Sequence, residues 1–268
     1  HVHTEFVKIF MDGVPTPART AAMLSPYLPD AEHGAGFTGE THLQTPLLAR
    51  DLVELDRRGF TVKIHTAGDR SVRMALDAIE AARRANGNSG LRHELAHAGY
   101  IDPADIPRFA PLNAVADYSP ILWYPSPIIA AIASALGDRA QHYWPTRSLL
   151  DAKAPMLAGS DWPAAVPDQN PWTGVEALVT RRDPRGVTSG ALWPEQAITL
   201  DEDVIEDQLS RRRRVGPHLA LRRRCSQTLG RGIDKQAADT ARAVIRRSDH
   251  RGVEVGTAAV RDPGLGAR

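Results

Sequence analysis

The sequence predicts an α/β fold, a parallel sheet or barrel with helices packed outside it, and three observations carry that prediction. Short β-rich runs alternate with amphipathic helical stretches through residue 202. Several of those runs end in polar or ionisable residues, as strands do where a parallel sheet presents its carboxyl ends to a site. The helical stretches close on Gly or on Gly-Asn-Ser-Gly, so each reads with its strand as one βα unit.

Five strands are expected, over 6–11, 60–66, 91–97, 112–118 and 155–159. Residues 46–58 have apolar positions at helical spacing and stop at Gly59, while 71–86 run through Met74, Leu76 and Ile79. The segment 13–45 is too long and too rich in Pro and Gly for a plain connection, and reads as a loop over a pocket. A second insertion, 121–147, contains Trp123-Tyr124-Pro125 and a helical stretch over 127–136, and belongs on the same rim. Met23, Tyr27, Trp123 and Tyr124 in these insertions suggest a partly apolar pocket.

At 268 residues and 42% hydrophobic content the chain is large enough for one sizeable α/β domain or two modest ones. There is no run of eighteen apolar residues and no basic stretch followed by an apolar one at the start, so a cytoplasmic protein without membrane partners is expected. The single Cys225 excludes an internal disulfide and a thiolate zinc cluster, which leaves His, carboxylate or modified Lys to hold any metal. The small net charge hides a division. Residues 1–202 hold 18 Lys+Arg against 24 Asp+Glu, residues 203–268 hold 15 against 8, and every aromatic residue lies in the first part. A boundary near 202 follows, with 203–268 an arginine-rich atypical tail that reads as disordered, as an unrelated extension or as a shifted reading frame. Such a tail could contact phosphates, but it lacks aromatic residues for base stacking and carries no nucleic-acid motif, so nucleic acid is not the expected partner.

His65 ends the run Val62-Lys63-Ile64-His65, and His97 ends Arg92-His93-Glu94-Leu95-Ala96-His97 one βα unit later. The period of two puts His93, Leu95 and His97 on one face, with His97 at the carboxyl end and His93 deeper. In Ala158-Gly159-Ser160-Asp161-Trp162-Pro163, small residues end an apolar strand and deliver a carboxylate to its tip, though Gly-Ser-Asp is also a common turn and helix cap. Two histidines and an aspartate at strand ends are a ligand set suited to zinc, manganese or iron and to activating water. Lys8 lies inside the mostly apolar run 5–13, where an ammonium needs a partner, a changed charge state or a way out to solvent from a strand edge. Carboxylation would convert it into a metal-bridging carbamate.

With these residues in order, the sequence resembles the amidohydrolase superfamily, and within it the YtcJ-like branch that includes N-substituted formamide deformylases. The resemblance rests on Val7-Lys8-Ile9-Phe10 with Asp12-Gly13, Ile64-His65 with Gly68-Asp69-Arg70, Arg92-His93 with His97, and Gly159-Ser160-Asp161-Trp162-Pro163. Arg19-Thr20-Ala21-Ala22-Met23-Leu24 and Thr180-Arg181 add to it more weakly, and it runs from residue 5 to about 202. It implies a partial (β/α)8 TIM barrel in which the five strands are strands four to eight. It also implies a divalent metal, zinc above all, as one or two ions held by Lys8, His65, His97 and Asp161. Asp161 would double as the catalytic proton shuttle for hydrolysis of a small-molecule amide, a non-peptide carbon–nitrogen bond. His93, Asp69, Arg70 and Trp162 are then candidates to support the ligands or to bind substrate. The family's first strand carries a His-x-His pair, but His1-Val2-His3 lies only five residues before Lys8 and reads as accidental. Strands one to three, on the order of a hundred residues, are expected to be missing, which makes an inactive fragment the alternative to an active hydrolase. Barrel edges exposed in this way make a homo-oligomer a reasonable expectation.

Overall fold

A computed structural model describes residues 4–120, 125–162, 164 and 170–199. It shows the expected α/β architecture. Strands β1 (Phe6–Phe10), β2 (Thr61–Thr66), β3 (Glu94–His97), β4 (Val115–Tyr118) and β5 (Met156–Ala158) form a five-stranded sheet. They lie side by side in chain order and all pair in parallel. This is the partial barrel that the sequence predicts.

The helices between them form for local reasons. In α1 (Thr45–Arg57) a proline occupies the first turn, Leu48 and Leu52 fall on one face, and the chain leaves at Arg58-Gly59 with Gly59 at φ +85°. In α2 (Asp69–Asn86) Val72, Ala75, Leu76 and Ile79 make the buried stripe, and Gly87 at φ +73° ends it. The short α3 (Phe109–Leu112), then α4 (Pro127–Leu136), α5 (Thr146–Asp151) and α6 (Pro171–Thr180) complete the α-helices among the described residues. Ser126 caps α4 by accepting the Ile129 N–H, and Asn170 caps α6 by accepting that of Trp172.

Parallel pairing puts partners on the same face, so the register divides the sheet into two kinds of row. Ile9, Ile64, Leu95, Ala116 and Met156 are one row, and they join the residues of α1 and α2 in a single apolar core. Lys8, Lys63 and Glu94 are in register on the opposite face, as are Phe10, His65, Ala96 and Asp117.

Three expectations are corrected. Strand β3 starts at Glu94 instead of residue 91 and β4 at Val115 instead of 112. Leu112 belongs to the helical turn α3, which Asn113 stops in the left-handed region while the Ala114 N–H reaches back to the Phe109 carbonyl. The segment 13–45, expected to line a partly apolar pocket through Met23 and Tyr27, turns both of them into the core. Its Met23 and Tyr27 are 2% and 3% exposed and belong to the core, with the Tyr27 hydroxyl donating to the Ala21 carbonyl. Trp123 and Tyr124 lie outside the described residues, as does the tail from 203. No helix among the described residues is long and apolar enough to cross a membrane.

Candidate functional site

The carboxyl ends of β2 and β3 bring two imidazoles together. The His65 and His97 ring centroids are 4.6 Å apart at 68°, and Phe10 stacks on the other side of His65 at 5.0 Å. His65 Nε2 lies 2.9 Å from the Gly13 carbonyl oxygen. A carbonyl can only accept, so Nε2 carries the proton and Nδ1 keeps the lone pair.

His97 reaches this place by an exception to strand geometry. Strict alternation would aim it with Leu95 toward the helices, but His97 and Ala98 have φ of +68° and +41°. This left-handed turn swings the imidazole over to His65. Burial, and then the neighbouring His65, Lys8 and Lys63, push the His97 pKa down to about 3, so the ring is neutral and its lone pair is available at physiological pH.

Lys8 is exposed on the edge strand β1, its ammonium 5.3 Å from the Phe10 ring centroid. The burial it does have, and Lys63 in register beside it, hold its pKa below the usual lysine range, while Asp117, Asp161 and Glu94 pull the other way. Asp161, after β5, is exposed with φ +54°, and it faces this group closely enough for its charge to act on Lys8.

The other predicted residues go elsewhere. His93 is fully buried on the helix side, where its Nδ1 accepts the Val62 N–H at 3.1 Å and its Nε2 meets Asp56 Oδ1 at 2.9 Å. Asp69 accepts the Leu24 N–H at 2.7 Å, and burial raises its carboxyl pKa. Arg70 donates to the Gly39 carbonyl at 2.6 Å and to the Thr38 hydroxyl at 3.2 Å. Both therefore grip the segment 13–45. Trp162 is 50% exposed beside Asp161.

Four charged residues were given no role by the sequence reading. Lys63 forms ion pairs with Asp117 and, at 3.4 Å, with Glu94, on the face that carries His65. Burial works to lower the Lys63 pKa, but Asp117 and Glu94 outweigh it and hold it above the ordinary value. The period of two that places His65 on this face, counted back from it, also finds Lys63. The charge of Asp117 within the buried run Val115–Tyr118 was the second available signal. Asp12 is the fourth. Its buried carboxylate accepts the N–H groups of Ala22, Ala67 and Gly68, each at 2.9 Å, and the Ser71 hydroxyl at 2.7 Å. That fixes Gly13, and through its carbonyl the tautomer of His65.

The donor chemistry fits a divalent ion in part. Two imidazoles converge with lone pairs to offer, and Lys8 and Asp161 stand around them, although no three His, Cys, Asp or Glu side chains form a metal-holding group among the described residues.

Residues 1–205 match the amidohydrolase family. Over 206 residues the chain is 28% identical to Protein LONG AFTER FAR-RED 3 of Arabidopsis thaliana, covering 76% of this chain and 33% of the plant protein. Among solved structures it is similar to an uncharacterized metal-dependent hydrolase of Pyrococcus furiosus, with TM-score 0.55 and 21% identity over 73% of this chain and 36% of that one. A second, from Pyrococcus horikoshii OT3, gives 0.55 and 23% over 74% and 37%. At these identities the two archaeal structures speak to the fold. The chain thus spans about a third of the length of the relatives it matches.

Proposed function

Since the chain belongs to the amidohydrolase family, we propose that it carries much of the catalytic site of a metal-dependent hydrolase that cleaves a non-peptide carbon–nitrogen amide bond, in the manner of the YtcJ-like branch. The observation that carries this reading is the pair of imidazoles at adjacent strand ends, 4.6 Å apart, with His97 kept neutral. His65 and His97 would hold the ion, zinc or a close relative, singly or as a pair, with Lys8, once carboxylated, and Asp161 as further ligands.

Such an ion would supply Lewis-acid chemistry, polarising a scissile carbonyl and making water more acidic. The chain's own residues do the rest. The Gly13 carbonyl engages Nε2 of His65 and so leaves Nδ1 as the nitrogen that would face the ion, while burial keeps a proton off His97. The Asp161 carboxylate, exposed at the mouth of the site, takes a proton from water and returns it to the leaving nitrogen. Lys63 is held by ion pairs to Asp117 and Glu94, which fixes its ammonium on the face that carries His65.

Metal analysis of the purified chain after dialysis without chelator tests the reading. One or two equivalents of zinc or a similar ion are expected, reduced in Lys8→Ala, and hydrolysis of small amides should then be detectable. No bound metal would reduce this chain to an inactive piece of a hydrolase. We place the protein in the cytoplasm and set its catalytic part at 1–202, with 203–268 as an added tail. We further expect self-association along β1, whose Phe6 and Phe10 are 45% and 59% exposed at the sheet edge, to be visible by sedimentation.

A further inference from the structure

The left-handed turn at His97–Ala98 is an uncommon conformation for side-chain-bearing residues, so the surrounding structure has to impose it. Two hydrogen bonds from one residue do so. Trp144 donates its indole N–H to the His97 carbonyl at 2.7 Å and its backbone N–H to the Gly99 carbonyl at 2.8 Å, bracketing the turn from both sides. Trp144 is itself fully buried, at φ +58°. The neighbouring Tyr143 ring lies against Gly99 so closely that a Cβ there would sit 2.3 Å from it.

This bracket has an anchor. Arg181, just past α6 and fully buried, donates to the Tyr143 carbonyl at 2.8 Å, to the Trp144 carbonyl at 3.4 Å and to the Leu192 carbonyl at 2.8 Å. Burial pushes its pKa down to about 10, so the guanidinium is still charged and its donors stay committed to these carbonyls. A chain of contacts therefore runs from the end of α6 through residues 143–144 to the backbone that aims the His97 imidazole.

We propose that Trp144 is a positioning residue for metal binding, its indole N–H holding the His97–Ala98 turn so that the His97 imidazole stays beside His65. The inference rests on the metal-dependent reading above and adds a residue that touches neither ion nor substrate. Removing the N–H releases the His97 carbonyl, lets the turn relax toward ordinary strand geometry and carries the imidazole toward the Leu95 side.

The test uses the full chain with Trp144→Phe and, as a closer isostere, with benzothienylalanine at position 144, which keeps the fused ring and lacks the N–H. Ring-to-ring nuclear Overhauser contacts are recorded without metal, and the zinc Kd is measured by competition with a chromophoric chelator. In both variants the His65–His97 contact is expected to disappear while the His65–Phe10 contact persists, and the zinc Kd to rise about tenfold or more. The proposal is overturned if the His65–His97 contact and the zinc Kd are unchanged. It is also overturned if both ring contacts vanish together, since Trp144 then merely supports the fold, or if the contact is lost with zinc affinity intact. Should Trp144→Phe not fold, the benzothienyl variant decides by the same readouts. A wild-type chain that binds no zinc removes the metal reading and with it the role toward metal, whereas zinc binding untouched by the variants removes this proposal alone.

Discussion

The two faces of the sheet are made by the same five strands, yet they are opposite in kind. The helix-side face is apolar and closed, and its buried Asp56 is fully engaged. There Asp56 receives His93, Arg83, Ser89 and Asn86, tying α1, α2 and the entry to β3 into one lock. The inner face carries Lys8, Lys63, Glu94, Asp117 and His65, is joined by His97, and leaves Phe6 and Phe10 open to solvent. Both faces of a parallel sheet are normally covered. The contrast separates a face that packs the core from one that carries the polar groups of the proposed site, and substitutions on each should behave accordingly.

The sharpest separation should come from the inner side. Asp161→Asn is expected to lower amide turnover by about 10²–10⁴-fold with no change in the denaturation midpoint, because the side chain is exposed and carries no packing. A parallel loss of stability would blur the division between faces. On the helix side, Ile64→Ala should cost about 2–5 kcal/mol of stability in urea unfolding, since Ile64 is fully buried between β1 and β3 in the apolar row. The folded fraction should bind zinc as before.

A smaller effect concerns pH. Burial holds His93 below its ordinary 6.5, so the folded protein refuses a proton that the unfolded chain takes up. Its contribution is complete above about pH 6.5 and is lost as the pH falls below that value. His93→Gln should flatten the fall in stability between pH 6.5 and 5, followed by urea midpoints; an unaltered slope would remove His93 from the acid response. The smallest effect is expected at Glu54→Gln on the exposed side of α1. There Arg57 and Arg58 lose a solvent-screened partner and the melting temperature should not move measurably.

Much of this contrast was legible in the sequence. The apolar alternation of 60–66 and the helical spacing of 71–86 found β2 and α2, and the polar strand ends found His65 and His97. What stayed hidden depends on contacts between distant residues. Nothing local marks His97 as left-handed, because the turn is imposed by Trp144, 47 positions away. The balance of Lys63 against Asp117 and Glu94 appears only when three strands are in register. The early start expected for β4 failed because a left-handed Asn113 closes a helical turn just before it. Met23 and Tyr27 looked like pocket residues because burial in the core cannot be read from a stretch without periodicity.

The triplet Gly68-Asp69-Arg70 drew attention as a chemical signature, yet its three residues share one mechanical task. A side chain at Gly68 would place its Cβ 2.0 Å from the Ala22 carbonyl oxygen, Asp69 takes the Leu24 N–H, and Arg70 takes the Gly39 carbonyl. A sequence pattern keyed to these letters therefore selects chains that fasten the same cover in the same way. Proteins gathered by it will share a way of packing the segment 13–45 before they share a substrate, and sorting them by what they hydrolyse will require other residues.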